Sequence, residues 1–197
     1  TVFSAEPSRV DPVRQWAQWR GPLGTGVSPH GDPPTEWSEI KNVRWKIRLP
    51  GTGHSTPVVW GNTLFLTVAV PFGEPVKPKA DADPGAHDNA PVTRKHRFVA
   101  WAVDRRDGKI LWQKTLAEGL PHEGGHFTGS LASNSPVTDG QRVFAFFGSR
   151  GLYCLDFSGK LVWQVQPGKM ATKHNHGEGA SPALHGQTLV VNWDHEG

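Results

Sequence analysis

Three ungapped segments of the chain align with one another: STPVVWGNTLFLT from Ser55, NSPVTDGQRVFAF from Asn134 and ASPALHGQTLVVN from Ala180. In each, a proline (Pro57, Pro136, Pro182) precedes a glycine (Gly61, Gly140, Gly186) by four residues. An apolar run then opens three residues after the glycine, at Leu64, Val143 or Leu189. Repetition constrains a fold strongly, because each copy must bury its apolar face against the next. Short apolar runs on either side of GN, DG or HG predict a β-hairpin, since glycine takes the positive φ of a tight turn. Proline at the start of the first strand costs no ladder hydrogen bond.

A second pattern also recurs. AVDRRDGKILW ends at Trp112 and CLDFSGKLVW at Trp163, 51 residues later. Residues 98–104 and 152–156 read as strands, RRDG and FSG as turns, and residues 109–116 and 160–166 as the strands that follow. Asp104 and Asp156 suit turn entrances, where a carboxylate accepts backbone N–H groups two residues on. Gly108 and Gly159 suit the strained turn position. Each unit is therefore four antiparallel strands in about 50 residues, the signature of a β-propeller blade. Trp112 and Trp163, with Trp45 in the same role, read as structural anchors, since a buried indole removes about 150–250 Å² from water. Cys154 aligns with Ala102, where packing between blades wants a small side chain, and reads as an inert buried thiol.

The Ala102–Trp112 stretch resembles the tryptophan-docking repeat of pyrroloquinoline quinone (PQQ) propellers. The wider pattern, with WAQWRGPLGTGVSP (16–29) and VRWKIRLPGTGHSTPVV (43–59), resembles the PQQ-like repeats of the BamB-like and quinoprotein alcohol dehydrogenase-like superfamily. The resemblance covers residues 16 to 197 and implies an all-β propeller of four-stranded antiparallel blades with tryptophan-docking motifs. Residues 1–41 then form an N-terminal extension, and 42–50 a lone outer strand that would complete the last blade. Residues 51–116 form a blade with an insertion at 71–97, residues 117–166 a second blade, and 167–197 a partial third. Two and a half blades do not close a ring, so the chain is read as the N-terminal part of a protein with about seven or eight blades.

Composition agrees with this class. The 23 Gly and 17 Pro, about a fifth of the 197 residues, leave room for turns rather than long helices. The net charge of +3 is spread among acids rather than gathered in a stripe, which argues against nucleic-acid binding. One cysteine excludes an internal disulfide and any CxxC metal or haem site. No run approaches the about 18 apolar residues of a membrane span. The opening TVFSAEP reads as the remnant of an export signal or as a processed start; the first predicts a periplasmic or secreted protein.

Chemistry is expected in loops that precede each innermost strand, because those connections cross one face of a propeller toward its channel. They carry His54, His126, Asn134, His174, His176 and Glu178, and the last stretch adds Asp194, His195 and Glu196. These nine residues are the predicted ligand-binding set, and His174, His176 and Glu178 a candidate metal set, since His-x-His with a carboxylate chelates Zn²⁺. Residues 71–97 and 192–197 are candidates for one recognition surface. HEGGH (122–126) matches the HExxH zinc-protease pattern, but that chemistry needs a helix, and two glycines in the middle argue against one.

Three functions follow, the most remote being metal-dependent hydrolase chemistry at the histidine-rich funnel. The first is a non-enzymatic propeller that binds a protein or small-molecule ligand outside the cytoplasm. The second, implied by the resemblance, is a PQQ- and Ca²⁺-dependent dehydrogenase oxidising alcohols or sugars. The single cysteine departs from the adjacent cysteines frequent in such enzymes.

Overall fold

The computed structural model describes residues 10–78 and 87–196. Twelve strands form among them. The first blade contains β1 (Val58–Trp60), β2 (Thr63–Phe72), β4 (Lys95–Asp104) and β5 (Ile110–Gly119), with the two-residue β3 (Asn89–Ala90) inserted between β2 and β4. Then come β6 (Gly125–His126) and the second blade, β7 (Val137–Thr138), β8 (Arg142–Phe146), β9 (Leu152–Asp156) and β10 (Leu161–Val165). A hairpin of β11 (Ala183–His185) and β12 (Thr188–Val190) follows. The only helical elements among the described residues are three 3₁₀ turns.

Both four-stranded sheets are antiparallel, in the orders β1-β2-β4-β5 and β7-β8-β9-β10. Their registers coincide residue for residue. Across the first blade Val58 faces Phe65, Phe65 faces Ala102 and Ala102 faces Trp112. Across the second, Val137 faces Phe144, Phe144 faces Cys154 and Cys154 faces Trp163. The third hairpin starts the same series with Ala183 opposite Val190. The chain is an all-β protein whose repeats are consecutive blades of an incomplete β-propeller.

Alternation along the strands makes each blade two-faced, which is why blades stack. On β4, Phe98, Ala100 and Ala102 join Val143, Ala145, Tyr153 and Leu155 of the second blade in one buried cluster. Val99, Trp101 and Val103 point the other way, where Trp45, Ile47 and Leu49 cover them. Beyond the second blade, Val137, Phe144 and Cys154 pack against Leu184 and Leu189 of the third hairpin. Residues 43–49 thus lie on the face expected of an outer strand, though they form no strand ladder.

Indoles cap these layers at the turns. Trp112 donates from Nε1 to the Phe157 carbonyl at 2.8 Å and lies over Gly159, where a Cβ would come 2.8 Å from the ring. Trp45 repeats the arrangement one blade earlier, donating to Arg105 O at 2.9 Å and lying over Gly108 at 2.7 Å. Both glycines have positive φ, +77° at Gly108 and +84° at Gly159, so turn geometry and the ring exclude a side chain together. Asp104 Oδ1 accepts the Arg106 N–H, and Asp156 Oδ1 accepts those of Ser158 and Lys160, which fixes both turn entrances. Trp163 is 36% exposed, its ring 5.8 Å from Phe144 of its own blade.

The structure departs from the expected insertion at 71–97. Pairing between β2 and β4 continues as far as Phe72 opposite Lys95, so the ladder extends into both ends of that stretch. The excursion is not a free loop: Asn89 and Ala90 pair with His126 and Gly125 in a small sheet. Residues 79–86 lie outside the described residues.

Candidate functional site

Loops between blades meet in a cavity of about 500 Å³. Its wall takes Ala90 to Thr93 from the excursion, Pro121 to His126 from the inter-blade connection, Ser149 and Arg150 from a 3₁₀ turn, and His176 to Gly179 from the third connection. Asn134, His176 and Glu178 also line a second cavity of about 350 Å³, bordered by Asn192, Asp194 and Glu196. The excursion and the last residues therefore flank a shared wall.

Hydrogen bonds at the base of these loops tie blade to blade. The Thr56 N–H donates to Ser135 Oγ at 2.8 Å, and the Ser135 N–H donates to Ser181 Oγ at 2.9 Å. These three residues each precede the repeat's proline, so one contact recurs at one position. Asn134, 2% exposed, donates from Nδ2 to Ala180 O at 2.6 Å, and its carbonyl accepts from Thr67 Oγ1. Asn134 thus reaches the cavities while serving as a structural tie.

The wall holds a compact group that sequence reasoning did not assemble. His122 Nε2 lies 3.7 Å from Glu178 Oε1 and 3.9 Å from Glu123 Oε2. Glu178 accepts both the backbone N–H and the hydroxyl of Ser149, and Glu123 accepts the Thr172 hydroxyl at 2.7 Å. Nε2 of His122 also donates to the Met170 carbonyl at 2.7 Å. Burial pushes the Glu178 carboxyl above its ordinary value, against the Ser149 hydrogen bonds that hold it down. A Cβ at Gly148 would fall on the Glu178 carboxylate, so glycine there leaves the space the carboxylate fills.

The histidines gather separately. The His176 ring lies 5.5 Å from that of His126, 5.7 Å from His174 and 5.0 Å from His87, centre to centre. The Nε2 atom of His176 is buried with no hydrogen-bond partner. His126 accepts or donates at Nδ1 with Thr128 Oγ1, 2.7 Å away. His87 comes from the excursion and was not among the expected residues; β3–β6 pairing delivers it.

Other expected residues stand apart. His54 is exposed, and its backbone N–H is held by Ser130 Oγ at 3.1 Å. His195 Nδ1 accepts the Ala171 N–H at 2.9 Å, while Asp194 and Glu196 border the second cavity only. Among the described residues, the group of side chains that could hold a metal ion, with donor atoms all within 4.8 Å of one another, is His122, Glu123 and Glu178. His174 and His176 do not join Glu178 in such a group.

HEGGH is not helical: its Gly125 and His126 are in a strand, so the two histidines do not share a helix face. Its glycines have a packing role. Gly124 leaves room for the Ala90 carbonyl, and Gly125 sits against Gly177, 3.1 Å from where that residue's Cβ would be.

The family profile for the outer membrane protein assembly factor BamB matches residues 96–196, the second half of the first blade through the third hairpin. The chain belongs to this family. The match spans both kinds of repeat found in the sequence, and the shared registers explain it structurally. No curated protein matches the chain. No helix among the described residues is long and apolar enough to cross a membrane, which says nothing about spanning strands.

Proposed function

We propose that the chain is a non-enzymatic propeller scaffold that works outside the cytoplasm and binds a segment of a protein partner in the cavity between its blades. The observation that carries this reading is the cavity itself, about 500 Å³ and walled by successive inter-blade loops. Its lining mixes apolar Val92, Phe98 and Phe147 with polar His122, Ser149 and Arg150, the amphipathic character that suits a peptide segment. Membership in a family described by outer membrane protein assembly supports a protein occupant and an extracytoplasmic setting. Indoles stacked on turn glycines, of the tryptophan-docking kind, support a rigid frame for those loops.

The dehydrogenase reading has less support. PQQ is a planar group bearing three carboxylates, and among the described residues the cavity lining contains one arginine and no tryptophan to stack on it. Cys154 is fully buried in β9 and has no neighbouring cysteine.

The two readings separate by titration. Peptides selected from a random library against the chain are expected to bind stoichiometrically by calorimetry and to weaken about tenfold or more with Arg150→Ala. PQQ with Ca²⁺ is expected to leave tryptophan fluorescence unchanged. Saturable quenching with dye-linked alcohol oxidation would overturn the scaffold reading, and so would failure of every selected peptide to bind.

A further inference from the structure

We infer that His122, Glu123 and Glu178 form a binding site for a divalent transition-metal ion of the Zn²⁺ class in the wall between the two cavities. The site goes beyond the scaffold reading and stands without it, since it depends on three side chains and not on a cavity ligand.

Geometry comes first. A tetrahedral ion with bonds of about 2.0–2.2 Å holds its ligand atoms about 3.3–3.6 Å apart. The two edges from His122 Nε2 measure 3.7 and 3.9 Å, and all three donor atoms lie within 4.8 Å of one another; an ion takes the place of the Nε2 proton, which now goes to the Met170 carbonyl, and releases it to solvent. Hydrogen bonds also fix the set: the Ser149 hydroxyl donates to Glu178 Oε1, the oxygen nearest His122, and the Thr172 hydroxyl donates to Glu123 Oε1, the oxygen turned away from it. Such outer hydrogen bonds aim ligands in metal sites generally. Gly148, with no side chain, makes the cradle for the Glu178 carboxylate.

Charge points the same way. The side chains of Glu123 and Glu178 are only 12% and 14% exposed, yet among the described residues no lysine or arginine forms an ion pair with either. Arg150, nearby in the wall, gives a guanidinium N–H to the Leu120 carbonyl, and its charge acts on Glu178 from a distance without an ion pair. Two mostly buried carboxylates, with the Arg150 charge only at a distance, carry negative charge that a divalent ion held between them offsets directly. The imidazole selects the ion: one nitrogen with carboxylate oxygens favours Zn²⁺ over Mg²⁺ or Ca²⁺, which take all-oxygen sets.

The test uses the full chain, stripped with a chelator and titrated with ZnCl₂ by calorimetry. One equivalent is expected to bind, with affinity reduced about tenfold or more in Glu178→Gln and Glu123→Gln. His54→Ala is expected to bind as the unaltered chain does, and Mg²⁺ more weakly than Zn²⁺. Failure to bind one equivalent overturns the inference, as does binding that survives both glutamine substitutions. Loss of binding in His174→Ala with retention in Glu178→Gln would also overturn it. X-ray absorption of the Co²⁺-loaded unaltered chain needs no variant to fold: one imidazole in the coordination shell is expected, and two or more would contradict the site.

Discussion

The backbone N–H of Thr56 donates to the hydroxyl of Ser135, 79 positions away, at 2.8 Å. Ser135 is 2% exposed, and its own N–H passes the same bond on to Ser181. Removing the hydroxyl leaves a part-buried donor without its partner, a loss of about 1–3 kcal/mol. Ser135→Ala should lower the urea midpoint accordingly while leaving the m-value unchanged. A midpoint indistinguishable from that of the unaltered chain would show that the tie contributes nothing.

Trp112 and Gly159 make a second prediction. Alanine at 159 must take a φ of +84° and also displace the indole, so Gly159→Ala should destabilise by about 2–4 kcal/mol. Trp112→Phe keeps most of the apolar contact but loses the hydrogen bond to Phe157 O, and should cost about 1–3 kcal/mol. Equilibrium unfolding followed by far-UV circular dichroism reads both. A Gly159→Ala loss under about 1 kcal/mol would contradict the clash, and an unchanged midpoint in Trp112→Phe would contradict the hydrogen bond.

Asp104 titrates abnormally. The side-chain hydrogen bond from Arg106, then the Arg106 N–H, lower its carboxyl from 3.8 to about 2. The folded state therefore holds this proton less tightly than the unfolded one. Stability from the group is fully present above pH 3.8 and is lost as pH falls through about 2. Asp104→Asn should flatten the dependence of stability on pH in that window, and carboxyl carbon shifts should place the folded midpoint near its lower end. A midpoint at the ordinary aspartate value would refute the assignment.

Cys154 is fully buried, and burial pushes its thiol above its ordinary value. A thiol reagent such as DTNB should leave the folded chain unmodified at neutral pH and react with one equivalent in denaturant. Rapid reaction of the folded chain would mean that β9 is not covered by the third hairpin.

The framework could be read in the sequence because its cause is periodic. Alternating apolar residues set the faces of β4 and β9, and an Asp before a Gly set the two turns. The same reasoning paired Ala102 with Cys154 and Trp112 with Trp163, and the shared registers show why. The site was less legible because its contacts are local to no repeat. Glu178 reaches His122 across 56 positions through two loops, and the Gly148 that makes room for it carries no pattern of its own. HEGGH drew notice for a helical motif, whereas its first two residues act with a distant glutamate and its glycines pack against Ala90 and Gly177. His87 lies in the excursion, where β3–β6 pairing and the Asn89 Nδ2 bond to the His174 carbonyl place it beside His176.

The cavity as the working surface is tested most directly by amide hydrogen exchange on the chain with and without a selected peptide. The account predicts that added protection concentrates in residues 121–134, 147–150 and 176–179, the loops that wall the cavity. Protection confined to the exposed edge of β10, with those loops unchanged, would contradict it.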